Sequence, residues 1–364
     1  MLGFMQEKAK KTDNVLPERE SGRGSAKMRY RMIRLALEAI SVLGLDSAFA
    51  PRTRGAGVIL TFHRVHPDNG SILPENAGLS ITPAFLEDVL RLLRALEYEI
   101  IPLGAVPQRL AEPSGGRPFA ALTFDDGYRD NRDFALPILQ RHNAPFTLFV
   151  CAGFAERTTP LWWLDLEDAV RQLDGFRLAL PDGVIEARTQ TLAEKMTALR
   201  QLYWRLRAFD EETLRAAVTT LAHQAGLDPL ARVAALCMDW QELRAFATDP
   251  LATIGAHTLT HPRLAKLDAG VARAEIAGSR DRIREELGLE TKAFAYPVGD
   301  PTSAGPREFE MVRDLGFEMA VTTVPGVLKP GQMMTALPRI SVNGLFQKEH
   351  YLRALISGLP FWRP

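Results

Sequence analysis

From Pro51 to about residue 343 the chain alternates short apolar runs with amphipathic stretches, and this rhythm limits its possible folds more than any other feature. The runs fall at 57–62, 99–101, 119–124, 146–150, 252–255, 293–296, 319–322 and 337–342. Short runs that stay apolar on both faces read as buried strands, and intervening helices read as crossovers, so the expectation is an α/β chain built round a mostly parallel sheet or barrel. Between two of the runs, Thr82-Pro83 looks like an N-cap followed by a first-turn proline. Phe85, Val89, Leu92, Leu93 and Leu96 then share one face, which predicts a helix over 83–97.

The rhythm fails between about 155 and 245, where Leu, Ala, Arg and Glu dominate, so a helical insertion on the barrel is expected there. It opens on Leu161-Trp162-Trp163-Leu164, and the paired indoles read either as core or as a surface for the flat faces of sugars. At 364 residues two domains are allowed, but one barrel with an insertion accounts for the length equally well. The division read from sequence is a disordered tail over 1–27, an amphipathic helix and linker over 28–54, a barrel over 55–345 and a tail over 346–364.

Lys plus Arg and Asp plus Glu each total 44, so the surface as a whole offers no field for nucleic acid or for an anionic bilayer. Cys151 and Cys237 cannot build a disulfide framework, and Cys151 reads as a small buried hydrophobe. No run reaches the roughly 20 apolar residues of a membrane span, and Glu38 and Asp46 interrupt the apolar stripe that follows Met28. The reading is a cytoplasmic protein whose 28–45 helix either packs on the domain or touches a membrane surface.

Two segments carry chemistry. Leu122-Thr123-Phe124-Asp125-Asp126-Gly127-Tyr128 ends an apolar run with adjacent carboxylates, which can face one cleft only if the chain turns there, and Gly127 permits that turn. In Gly255-Ala256-His257-Thr258-Leu259-Thr260-His261-Pro262 a spacing of four places two imidazoles on one face of a helical turn, near enough for a single ion. With a carboxylate from another strand end they make a two-His-one-carboxylate set that leaves coordination positions open.

With those residues in place, the sequence resembles the polysaccharide deacetylases, the nodulation-type chitooligosaccharide deacetylases of carbohydrate esterase family 4, from about 57 to 343. Thr-Phe-Asp-Asp-Gly stands intact at 123–127, and His257-Thr258-Leu259-Thr260-His261 matches the family's loosened histidine motif. The resemblance implies a distorted (β/α) barrel of about seven strands, a divalent metal that is usually zinc, and removal of acetyl groups from N-acetylglucosamine units of a glycan or glycolipid. It gives Asp125 as general base, Asp126, His257 and His261 as metal ligands, and the Tyr128 backbone N–H as oxyanion donor.

Two departures stand out. Ala295 occupies the place of the Arg that usually holds the base, and the 336–342 run lacks the family's late histidine. A branch acting on biofilm poly-N-acetylglucosamine shares the Phe-Ala-Tyr-Pro pattern of 294–297 and an early strand end similar to Phe62-His63-Arg64-Val65, which moves the candidate acid to His63. Arg339 reads either as the replacement for the missing Arg or as a member of an ordinary surface ion pair. The competing functions are a catalytically weak carbohydrate-binding homologue and an amidohydrolase acting on a small non-sugar amide.

Overall fold

The computed structural model describes residues 22–67, 70–112 and 116–362, so most of the expected N-terminal tail lies outside the described residues. The central sheet has eight parallel strands: β1 (Gly57–Phe62), β2 (Glu99–Ile100), β3 (Phe119–Phe124), β4 (Phe146–Val150), β5 (Ala252–Ala256), β6 (Ala293–Ala295), β7 (Met319–Val321) and β8 (Ile340–Ser341). Seven run in the order β7-β6-β5-β4-β3-β1-β8, and β2 pairs with β3 off that path. The sheet curls until its edges meet. Leu337 bridges Val321 of β7, while Ile340, three residues on, pairs with Leu60 of β1. This is the distorted barrel that the resemblance implied.

Alternation along the strands divides the core in two. Ile59, Ala121, Phe149, Ala295, Val321 and Leu337 point inward and fill the barrel. Their neighbours Val58, Leu60, Leu122, Leu148 and Ile254 point outward against the helices. Gly255 is required inside, because a Cβ there would lie 2.4 Å from the Phe149 ring. On the outer layer, helix Pro83–Ala95 begins as the sequence predicts, with Thr82 Oγ1 accepting from Phe85 N, and its Phe85, Leu86, Val89 and Leu93 are buried. It ends two residues short of the expected 97, and Glu97 takes a left-handed φ of 60°.

The insertion has its own core around helices Trp162–Gln172, Leu192–Ala208, Glu211–Gln224 and Pro229–Leu236. It is not wholly helical. Gly175–Leu180 and Gly183–Arg188 form an antiparallel hairpin, in which Phe176, Leu178 and Leu180 alternate inward and Gly183 turns the chain at a φ of 124°.

The ends of the chain also differ from expectation. Helix α1 (Gly22–Val42) takes in residues 22–27, read above as tail, and a second helix, Leu45–Thr53, occupies the expected linker. The expected C-terminal tail forms helix Glu349–Ile356, whose Tyr351 and Ala354 pack on Leu37, Ile33 and Ile40 of α1. No helix among the described residues is long and apolar enough to cross a membrane.

Candidate functional site

The C-terminal ends of β1, β3 and β5 converge and deliver His63, Asp125 with Asp126, and His257 to one end of the barrel. Thr123 and Asp125 follow the inward alternation of β3. Asp126 would face outward on a continued strand, but it turns with a φ of 75° and Gly127 follows at 76°. A Cβ on Gly127 would meet nothing nearer than 3.9 Å, so backbone conformation and not space selects glycine there.

Asp126 Oδ1 lies 3.3 Å from His257 Nε2 and 3.2 Å from His261 Nε2. All three residues are buried, and among the described residues they form the group able to hold a metal ion. The spacing of four does not come from a helical turn, as the sequence suggested. After β5 the chain loops, with Thr258 and His261 both left-handed at φ 66° and 59°. Thr258 Oγ1 accepts from His261 N at 2.9 Å, and Glu275 accepts from Leu259 N and Thr260 N at 2.9 and 2.8 Å. Three hydrogen bonds thus hold a strained loop whose product is the second imidazole.

His257 Nδ1 sits 2.7 Å from the Ala295 carbonyl. That oxygen can only accept, so the ring carries its proton on Nδ1 and turns the Nε2 lone pair toward Asp126. The site therefore aims a lone pair at a carboxylate oxygen that has no hydrogen-bond partner of its own. Two acceptors in buried contact repel unless a cation lies between them. Bonds of about 2.0–2.2 Å to one ion set neighbouring donor atoms roughly 3.0–3.5 Å apart, and the observed separations fall in that range.

Asp125 is bound differently. Arg339, fully buried inside the barrel, donates from Nη1 and Nη2 to its two carboxylate oxygens at 2.8 and 2.7 Å, to Thr123 Oγ1 at 3.1 Å and from Nε to Thr322 O at 2.8 Å. Burial raises the Asp125 pKa, but the Arg339 charge and hydrogen bonds outweigh it and hold the carboxyl below its ordinary range.

The profile of the polysaccharide deacetylase family matches residues 113–320, more than half of the chain. The chain belongs to the polysaccharide deacetylase family. Solved structures of similar fold include the Streptococcus pyogenes deacetylase PplD in complex with acetate, at 18% identity and TM-score 0.53, over 82% of this chain and 97% of that one. IcaB from Ammonifex degensii shares 18% identity with TM-score 0.52 over 83% and 97%, and a de-N-acetylase from Aggregatibacter actinomycetemcomitans 12% with TM-score 0.52 over 82% and 99%. At these identities the likeness is one of fold. No curated protein sequence matches the chain.

Within this family member His63 is the most open residue of the site, its side chain 21% exposed, with Nε2 3.9 Å from Asp125 Oδ2. That is beyond hydrogen-bond range. Asn131 Nδ2 donates to the His63 carbonyl at 2.8 Å, and Asp130 accepts from Arg64 Nε and Val65 N, so the strand end is tied to the turn after β3. Tyr128 is buried beneath the Arg64 guanidinium and bridges Cys237 of the insertion. Both cysteines are free and buried.

Trp162 and Trp163 are buried in the insertion core. Trp163 packs 5.0 Å from the His261 ring centre and Phe154 5.5 Å from it, so the insertion walls the imidazole and the indoles are not an exposed sugar platform. Beside this wall runs a polar cavity of about 650 Å³ between the 64–80 segment and helix Trp162–Gln172, lined among others by Arg64, Ser71, Asp165, Asp168 and Arg232. Arg64 brings it next to His63. Asp130, Asn131 and Glu275 escaped the sequence reading because their work is to position backbone, which leaves no motif.

Proposed function

We propose that the protein hydrolyses N-acyl groups, chiefly acetyl, from amino-sugar units of a glycan or sugar-lipid, with one divalent first-row metal such as zinc held by Asp126, His257 and His261. The observation that carries this reading is the buried contact between the unpartnered Asp126 oxygen and two imidazole nitrogens, one of them oriented by Ala295. When bound, the metal supplies Lewis acidity to the amide carbonyl and lowers the pKa of an attacking water toward about 7.

The chain's own residues do the rest. Asp125 lies outside the ligand set and, ionised beside Arg339, keeps lone pairs with which to take the water's proton. Arg339 fixes the carboxylate plane, the task of the Arg that Ala295 displaces. The Tyr128 backbone N–H, just beyond the left-handed turn, donates to the developing oxyanion, an interaction worth about 3 kcal/mol. His63, open to solvent, gives a proton to the departing amine, which cannot leave as an anion near neutrality. Water adds to the carbonyl carbon, the C–N bond breaks, and acetate and a free amine result.

The fold shared with a deacetylase that holds acetate agrees with this reading. Acetate release by metal-loaded enzyme should be measured on acetylated glucosamine oligomers, on a sugar-lipid and on small cyclic and linear amides. Release from the amino-sugar substrates alone is expected; turnover of the small amides alone would overturn the substrate class, and release from none would leave a glycan-binding homologue.

A further inference from the structure

Helix α1 carries two apolar stripes, and the domain covers one of them. Tyr30, Ile33, Leu37 and Ile40 turn toward helix Glu349–Ile356 and the 344–346 turn. On the other side Met28, Met32, Leu35, Ala39 and Val42 recur at the helical period, and Leu43 continues the row. The five large side chains of that row are between 56% and 76% exposed, and Phe49 of helix Leu45–Thr53 and Trp362, which follows the 359–361 turn in contact with that helix, are exposed as well. Such a row over about 24 Å of helix exceeds the scattered apolar residues normal on a surface.

Charge is also uneven. The α1 sequence holds Arg23, Lys27, Arg29, Arg31 and Arg34 against the single acid Glu38, whereas the whole protein balances 44 against 44. Glu38 is occupied by His350 at 3.1 Å. A second copy of the chain would answer the apolar row but not the basic excess; an anionic phospholipid surface answers both. No helix among the described residues could cross a bilayer, so α1 would lie on it.

We propose that the exposed face of α1 docks the protein on an anionic membrane surface, lying in the headgroup layer beside the mouth of the barrel. The path to the mouth is short. Arg34 Nη2 donates to Leu345 O at 3.0 Å and its guanidinium stacks on Phe346; Gly344 N donates to Gly78 O at 3.0 Å; and Leu79 O accepts from Arg64 N at 2.9 Å, next to His63. Docking through α1 thus brings the open side of the site close to glycan carried at the membrane. That placement rests on the function proposed above, whereas the docking does not.

The test is flotation of the purified full chain with vesicles of phosphatidylcholine alone or with about one-third phosphatidylglycerol, at low and high salt. Wild type should float with the anionic vesicles and be released by salt, and Met32→Glu with Leu35→Glu should cut the bound fraction about tenfold at an unchanged melting temperature. Acetate release from a soluble oligomer by that variant should equal wild type, so failure of docking and failure of the catalytic reading are read separately. Wild type that stays unbound overturns the proposal, as does a variant that binds equally. So does a wild-type dimer that the variant dissociates without any vesicle binding, since a second copy then covers the face.

Discussion

Arg339→Gln should damage catalysis and stability together, and the pairing inside the barrel sets the size of both effects. The guanidinium is fully buried, its Asp125 partner is 2% exposed, and two hydrogen bonds join them. Removing one member of such a pair leaves a buried charge unmatched and costs about 3–5 kcal/mol. In a domain of this size that lowers the melting temperature by roughly 5–15 °C. The Asp125 carboxyl, held low by Arg339 against its burial, would move up, so the acid limb of the kcat profile should shift to higher pH. With the base also misoriented, kcat should fall by about 10²–10⁴, while metal content by elemental analysis stays at wild type. The double variant Asp125→Asn with Arg339→Gln removes both charges and should be more stable than the sum of the two single losses, yet remain inactive. A folded Arg339→Gln enzyme with wild-type kcat and an unshifted acid limb would refute the clamp.

The remaining predictions concern the neighbours of that pair. His63→Ala should keep fold and metal, lose turnover on sugar amides and recover part of it on activated esters, whose leaving groups need no proton; equal loss on esters and amides would remove His63 as the acid. Trp163→Ala empties a buried site against His261, so it should cost about 3–5 kcal/mol of stability and weaken metal retention, with KM raised alike for short and long oligomers; a rise in KM confined to long oligomers would restore the sugar-platform reading. Asp165 is buried with an unpartnered oxygen, and its pKa is pushed up from 3.8 to about 7, by burial first. The folded carboxyl therefore binds its proton more tightly than the unfolded one, and stability present in acid is lost as pH rises from about 4 to about 7. Asp165→Asn should remove that decline and leave the variant more stable than wild type at pH 8, by at most about 4 kcal/mol; parallel stability curves would show that the carboxyl is not strained.

Much of this was legible in the sequence because apolar runs report burial directly. The expected strands over 57–62, 119–124 and 146–150 appear with those bounds, since each is buried on both faces. The Asp125-Asp126-Gly127 turn was legible because side chains alternate along a strand, so adjacent carboxylates share a cleft only where the chain turns, and Gly127 permits that turn. The hairpin Gly175–Leu180 with Gly183–Arg188 was missed within a helix-rich stretch, although Phe176, Leu178 and Leu180 alternate and Asp182-Gly183 marks the turn. The left-handed residues Thr258 and His261 could not be read, because a four-residue spacing is equally compatible with a helical turn, and the loop is held by Thr258 Oγ1 together with Glu275, fourteen residues beyond His261. Arg339 was legible only as a candidate to hold the base, with a surface ion pair as the alternative that its full burial overturns. The partner is 214 positions away, and barrel closure by the 337–341 segment is what brings the two together.

The ligand set is tested most directly by metal content and acetate release measured together on wild type, Asp126→Ala, His257→Ala, His261→Ala and Asp125→Asn, each stripped by chelator and refilled with zinc. Wild type should take up one ion per chain and recover activity on refilling. The three ligand variants should retain little metal and release no acetate, and Asp125→Asn should hold the ion but not turn over. Full metal content in any of the three ligand variants, or acetate release by the stripped wild type, would contradict the account.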